Sequence, residues 1–160
     1  MNELIQNDSN STRSDIENHS LQILSFMSQK VRLCAEIKYI DKVIQLVRLE
    51  PVPGSPTYLV GLLNLAGESI PIIDLALRLN LQRSENYSLD TPILISKYAH
   101  KKMGILVDNI MGLTTLKEKN LQIHEEFKHE NSPFLAAANV DNELALLINM
   151  PFLISGENKP

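Results

Sequence analysis

Apolar residues fall in short bursts along the chain, separated by turn-forming residues. Leu21–Met27 predicts a strand, Ser28-Gln29-Lys30 a turn, and Val31–Ala35 a returning strand. Val31, Leu33 and Ala35 alternate, which marks one buried face. Ile40–Leu49 reads as a third strand. Glu50-Pro-Val-Pro-Gly-Ser-Pro56 then excludes regular structure, because three prolines fix φ and remove donors. Two runs, Tyr58–Leu65 and Ile70–Leu75, fold about a predicted turn at Ala66-Gly67-Glu68-Ser69, where Gly67 supplies a positive φ. Both runs are too continuously apolar for a strand with one wet face, so burial on both faces is expected. Pro71 cannot donate to a ladder and belongs at an edge or bulge.

Asp74 is placed to cap a short helix over Leu75–Leu81, and Gln82–Asp90 is polar enough to be a linker. Thr91-Pro92 opens a second set of strands. Ile93–Lys97 and Lys102–Val107 flank Tyr98–Lys101, and Asn109–Thr115 follows. Lys117–Asn120 predicts a turn and Gln122–Ser132 a charged loop. Phe134–Val140 and Leu144–Ile148 predict a last hairpin about Asp141-Asn142, with a terminal turn at Met150–Ile154. Asn64-Leu-Ala-Gly-Glu68 aligns with Asn139-Val-Asp-Asn-Glu143, and Ile73-Asp74 with Ile148-Asn149 in the same register. Gly67 and Asn142 take equivalent turn positions, the two residue types that best tolerate a left-handed backbone. Two similar β units, each ending in such a hairpin, are therefore expected, as in an all-β barrel protein.

A chain of 160 residues with 44% apolar content supports one domain, or two small subdomains sharing a core. Residues 1–19 are polar and read as a tail before a domain over 20–156, whose second barrel is expected at about 91–150. A formal charge of −4 argues against non-specific nucleic-acid binding. The single Cys34 excludes an internal disulfide, and packing is its expected role. No secretory leader or long apolar span is visible, so a cytoplasmic protein without membrane insertion is expected.

Catalytic constellations are not evident. His124 and His129 are five residues apart, about 140° around a helix, and so miss the metal-ligand spacing. Gly61 and Gly67 lack the Lys-Ser/Thr of a phosphate loop. Asp74 and Asp108 each follow an apolar run, and capping or turn roles are expected rather than a carboxylate pair. The Lys97–Lys102 segment reads as a solvated hairpin end. No metal or other cofactor is expected.

Val60-Gly-Leu-Leu-Asn-Leu-Ala-Gly-Glu-Ser-Ile-Pro-Ile-Ile-Asp-Leu75 resembles the signature hairpin of the CheW-like domain family. Met103-Gly-Ile-Leu-Val-Asp108 and Leu146-Leu-Ile-Asn149 resemble two further family segments, so the likeness spans about Leu21–Ile154. It implies two packed five-stranded SH3-like β-barrels, with N-terminal strands completing the second, and no enzymatic activity. It also implies a chemosensory adaptor joining the regulatory domain of a CheA-type histidine kinase to the hairpin tips of chemoreceptors within arrays. The implied receptor-binding positions are Ile40, Lys42, Ala66, Thr91 and Pro92. The implied kinase contacts include Leu49 and Gly61, and Gly67 and Gly104 are expected as structural turn glycines. Two positions depart from the family: Lys42 replaces its usual Glu and Ala66 its usual Arg. The departures suggest tuning to a divergent receptor or a pilus-type pathway, or else an inhibitory or array-filling subunit that binds one partner only. A small-ligand-binding or catalytic barrel is the alternative of another class, although no convergent polar groups support it. The chain is too short for the phospho-receiver of the family's fusion form, so control by phosphorylation is not expected.

Overall fold

In the computed structural model, residues 20–155 are described, apart from Glu85; the expected tail at 1–19 lies outside them. The strands are β1 (Leu21–Ser28), β2 (Val31–Glu36), β3 (Ile40–Gln45), β4 (Leu59–Leu65), β5 (Glu68–Asp74) and β6 (Pro92–Tyr98). They continue with β7 (Lys101–Leu106), β8 (Asn109–Leu116), β9 (Leu121–Gln122), β10 (Phe134–Val140) and β11 (Glu143–Ile148). Two short helices follow β5 and β11: α1 (Leu75–Arg78) and α2 (Met150–Ser155).

One sheet has the order β8-β1-β2-β11-β10-β9 and the other β3-β6-β7-β5-β4. The sixth strand of the first is the two-residue β9, whose counterpart in the second is a single bridge, Glu50↔Leu62. The expected location of the second barrel is corrected here. Strands β6 and β7 join β3–β5, whereas β1 and β2 join β8–β11, so residues 91–106 belong to the first barrel. Each barrel thus borrows from the other half of the chain.

The faint repeat in the sequence is a complete structural repeat. A step of 70 residues carries Ile23↔Glu36 onto Ile93↔Leu106, and the bulged pairs Ile40↔Ser96 and Lys42↔Ile95 onto Ile110↔Phe26 and Gly112↔Ser25. A step of 75 carries Leu59↔Ile73 and Gly61↔Ile72, with the bulge between them, onto Phe134↔Ile148 and Ala136↔Leu147. Even the ion pair Lys102–Glu68 (3.0 Å) has its counterpart in Arg32–Glu143 (2.6 Å). The hairpins β1–β2 and β6–β7 are exchanged between the two units.

This topology explains the unbroken apolar runs. Ile93 and Ile95 point into the first barrel with Leu63, Ile70, Ile72 and Leu106. Leu94 and Tyr98 point the other way, into a core shared between the barrels with Phe26, Leu33, Ile105 and Leu153. The second barrel is filled by Ile23, Cys34, Leu116, Ala136, Val140 and Leu147. A strand sandwiched between two cores has no wet face to alternate with.

Four hairpins close through two-residue turns at Gln29-Lys30, Ala66-Gly67, Ala99-His100 and Asp141-Asn142, all with positive φ. Positive φ at both central residues defines the turn whose twist matches a hairpin. The expected four-residue turn at Ala66–Ser69 is therefore shorter, and Glu68 and Ser69 begin β5. The third strand stops at Gln45: one further bond runs from the Leu46 N–H to the Thr91 carbonyl, and the ladder ends there because the Thr91 N–H is turned to the Ser88 carbonyl. Helix α1 ends early: Asn80 takes φ 62, and the Leu81 N–H donates to the Ala76 carbonyl, a left-handed stop. Gly104 is not a turn residue. It lies within β7, where a Cβ would meet Ile72 Cδ1 at 2.2 Å and Ile93 Cγ2 at 2.9 Å, so glycine there makes room for two core isoleucines.

Candidate partner-docking surface

Four of the five expected receptor-binding residues fall on one strand pair. Ile40 and Lys42 lie on β3, the edge strand of its sheet; Thr91 immediately precedes its neighbour β6, and Pro92 opens it. Backbone pairing sets Pro92 opposite Gln45, and the Leu46 N–H donates to the Thr91 carbonyl (2.8 Å). Ile40 and Lys42 are not presented together, however. The bulge at Asp41 places Ile40 opposite Ser96 and Lys42 opposite Ile95, which face opposite sides of β6. Ile40 packs against the shared core, and Lys42 stands exposed on the first barrel's side. Ala66 lies in the turn between β4 and β5, at the far edge of the same sheet, with φ 50.

The two expected kinase contacts do come together. A Cβ at Gly61 would meet Glu50 O at 2.7 Å and Leu49 Cβ at 3.0 Å. Glu50 exchanges backbone hydrogen bonds with Leu62 (2.8 Å each), so the chain after β3 crosses β4 at this glycine. Glycine is required there by close backbone approach rather than by chain reversal.

The polar linker holds the largest surprise. Arg83 donates to both oxygens of Asp74, Nε to Oδ2 at 2.5 Å and Nη2 to Oδ1 at 3.0 Å, and its Nη1 reaches Asp108 Oδ1 at 3.2 Å. The Tyr87 hydroxyl also donates to Asp74 Oδ2, and the guanidinium stacks 4.6 Å from the Tyr87 ring. Asp108 accepts from the Gln29 backbone N–H and side-chain amide, and Gln29 accepts from the Ser84 N–H and hydroxyl. The expectation that Asp74 and Asp108 remain apart is thus corrected: one arginine joins them. The cluster ties the linker to β5 of one sheet and to the β1–β2 turn of the other.

Burial pushes the Asp74 carboxyl up, but the Arg83 and Tyr87 donors, the guanidinium charge and the Leu77 N–H outweigh it and hold it below the usual carboxylate range. Desolvation alone would lower Arg83, yet its carboxylate partners raise it further above its ordinary value. Burial and then Asp74 raise the Tyr87 phenol. Asp74 also caps α1 through the Leu77 N–H (3.3 Å). Its repeat counterpart Asn149 caps α2 identically through the Phe152 N–H (3.3 Å). Capping therefore does not require the charge at 74; holding Arg83 does. Sequence pattern offered no signal for Arg83 and Tyr87, since a single Arg and Tyr in a polar stretch read as solvated.

Elsewhere, the Lys97–Lys102 hairpin end is not merely solvated: Lys97 pairs with Asp41 (3.5 Å) and Lys102 with Glu68. Cys34 is fully buried and its thiol is pushed up to about 12 by desolvation. Among the described residues no group of His, Cys, Asp and Glu is arranged to hold a metal ion, and no helix is long and apolar enough to cross a membrane.

Two β-barrels packed on a shared core define the fold. The profile of the CheW-like domain matches residues 22–158, and the chain belongs to that family. It is accordingly a non-enzymatic scaffold of chemotaxis signalling. Its relatives include the probable chemotaxis protein CheW of Rhizobium etli, 25% identical over 84% of this chain and 87% of that one. The chemotaxis protein CheW of Bacillus subtilis is 37% identical over 44% of this chain and 45% of its own. The scaffolding protein TtCheW from Thermoanaerobacter tengcongensis shares the fold, with a TM-score of 0.74 at 22% identity over 87% of this chain and 97% of that one.

Proposed function

We propose that this chain couples chemoreceptors to a CheA-type histidine kinase, acting at receptor arrays on the cytoplasmic side. The family match over residues 22–158 carries this reading. The chemistry asked of such a protein is selective adhesion to two partners, and the double barrel offers separate surfaces for them. The receptor's helical hairpin tip docks along Ile40, Lys42, Thr91 and Pro92, with the turn at Ala66 contributing. The kinase regulatory domain docks at the Leu49–Gly61 crossing. Lys42 in place of an acid, and Ala66 in place of a cation, tune the receptor side toward a divergent receptor or a pilus-type pathway, because charge complementarity governs partner choice more than affinity.

Calorimetric titration of the whole chain with the kinase regulatory domain, and separately with a receptor tip fragment, tests the reading. Binding to both is expected. Exchanging Ala66→Arg and Lys42→Glu together is expected to change receptor preference while leaving thermal unfolding within a few degrees. Unchanged preference refutes the tuning. A second reading, an array-filling or inhibitory subunit, is favoured by the short Ala66 side chain, which reaches no partner's carboxylate. Binding to the kinase domain alone would establish it.

A further inference from the structure

Most of this fold is built twice, but the polar cluster on the linker is built once. The same repeat steps carry Gln29 onto Ala99, Asp108 onto Lys38 and Asp74 onto Asn149. Lys38 pairs with Glu36 two residues away (3.7 Å), and Asn149 bonds the Ser132 carbonyl (3.5 Å). An alanine, a lysine and an asparagine supply no carboxylate between them, so no arginine is held there in the same way. The second unit folds without such a cluster, and folding alone therefore does not account for the first.

What distinguishes the cluster is that it crosses from one barrel to the other. Arg83 meets Asp74 at the end of β5, in the first barrel. It also meets Asp108, in the step from β7 to β8 where the chain passes into the second. Asp108 is tied to the second barrel by its N–H on the Met27 carbonyl (2.9 Å) and by Gln29 Nε2 on its Oδ2 (3.0 Å). Gln29 Oε1 accepts the Ser84 N–H (2.9 Å) and hydroxyl (3.0 Å), which returns the path to the linker. The Arg83 side chain is 13% exposed and that of Asp74 is fully buried, so water competes little for these bonds. The shared core holds the barrels together, but the hydrophobic effect has no direction. Hydrogen bonds do have one, and those across the seam set the angle at which the barrels meet.

We propose that Arg83 is a positioning residue: it locks the angle between the two barrels and so shapes any site that both of them line. Ile40 marks such a site, since it stands on a first-barrel strand yet packs against the shared core. In the function proposed above, on which this second step rests, a partner reaching Ile40 touches the seam between the barrels. The Leu49–Gly61 crossing lies within the first barrel and does not. The lock therefore serves one partner and not the other. A barrel pair already held at the docking angle has less freedom to lose when that partner binds. Only arginine suits the position. Its Nε and Nη2 take Asp74 while Nη1 turns to Asp108, whereas the single ammonium of a lysine serves one carboxylate.

Spin labels on the full chain at Ser69→Cys, exposed on the first barrel, and Asn139→Cys, exposed on the second, report the distance between the barrels by pulsed electron resonance; Cys34 is buried and takes no label. One narrow distance is expected with Arg83 in place. Arg83→Met and Arg83→Lys are expected to broaden it. Arg83→Met combined with Asp74→Asn is expected to stay broad even as it recovers stability in urea, because removing the stranded charge does not restore the tie to Asp108. A distance that narrows again as stability returns assigns Arg83 a merely structural role and overturns the lock. In titrations the double variant is expected to bind a receptor tip fragment about fivefold more weakly, as when roughly one molecule in five holds the docking angle, and the kinase regulatory domain within about twofold. A broad distance with unchanged tip binding, or an equal loss for both partners, overturns the positioning role. Wild type that binds no tip removes the coupling reading, while a distance that widens without Arg83 still upholds the lock.

Discussion

Arg83→Met should be costly, and the cost should be recoverable at a second site. The Asp74 side chain is fully buried, and Arg83 supplies two of its donors; Tyr87 and the Leu77 N–H supply the others. Removing one partner of a buried ion pair costs about 3–5 kcal/mol, because the surviving charge stays desolvated. The two retained donors favour the lower end, about 3 kcal/mol. At this chain length that corresponds to roughly 6–12 °C in Tm. The pH dependence follows from the direction of the Asp74 shift. In wild type its pKa is held down, so its contribution is present above the ordinary carboxylate pKa and is lost as pH falls through the lower, folded value. In the variant, burial without Arg83 raises that pKa, so stability is greatest in acid and declines as pH rises toward neutrality. The gap between the two proteins should therefore close as pH is lowered from 7 toward about 4. Adding Asp74→Asn to Arg83→Met should restore about 2 kcal/mol, since Asn149 shows that a neutral amide caps the equivalent helix. Urea unfolding followed by circular dichroism at pH 7 and pH 4.5 measures all three proteins. A loss below 1 kcal/mol for Arg83→Met, or no recovery in the double variant, refutes the reasoning.

The other expectations are simpler. Gly61→Ala forces a Cβ against the Glu50 carbonyl, which as backbone cannot swing aside; a loss of about 1–3 kcal/mol is expected in urea unfolding, with weaker binding of the kinase regulatory domain in titration. Gly104→Ala should cost a similar amount, but Ile72→Val in the same chain should recover part of it, because the atom met at 2.2 Å is the isoleucine Cδ1 that valine lacks; additive losses would disprove this. Replacing Ala99-His100 by Asn-Gly should raise stability by about 1–2 kcal/mol in thermal melts, since both positions hold positive φ with side chains ill suited to it. Cys34, fully buried with its thiol pushed up to about 12, should react with iodoacetamide only at the rate of unfolding, equally at pH 7 and pH 9.

Strand positions were legible because local chemistry states them twice, once in apolar runs and once in turn residues. The buried-both-faces pattern of Ile70–Leu75 and the cap at Asp74 follow directly from residue type. The exchange of the β1–β2 and β6–β7 hairpins was not legible, since hydrophobic pattern says that a strand is buried and not against which partner. Gln29, Lys30, Ala99 and His100 carry none of the usual chemistry of their turns; their conformation is imposed by the flanking ladders. Gly104 reads as a turn glycine until its neighbours across the sheet are known. The Arg83 cluster is hidden for the same reason: Asp108 lies 25 residues from Arg83, and Gln29 lies 79 residues from Asp108, distances along the chain that no local pattern spans.

The repeat explains how one small chain offers two different surfaces. Backbone register, bulges, helix caps and one cross-strand ion pair are duplicated, and these are the features that stability requires. The side chains at matched outward positions are not duplicated. Asp41 and Val43 on the β3 edge correspond to Met111 and Leu113 on the β8 edge, so one edge mixes charge with an apolar residue and the other carries no charge at all. Asp74, which holds Arg83, corresponds to Asn149, which binds the Ser132 carbonyl instead. A symmetric protein built on this scaffold would present the same edge twice and bring two copies of one partner together. Divergence at the exposed edges and in the linker makes the two edges chemically distinct while the backbone register is kept. On the reading proposed above, that divergence is what a coupling protein needs: one edge for the receptor, and other surfaces left for the kinase.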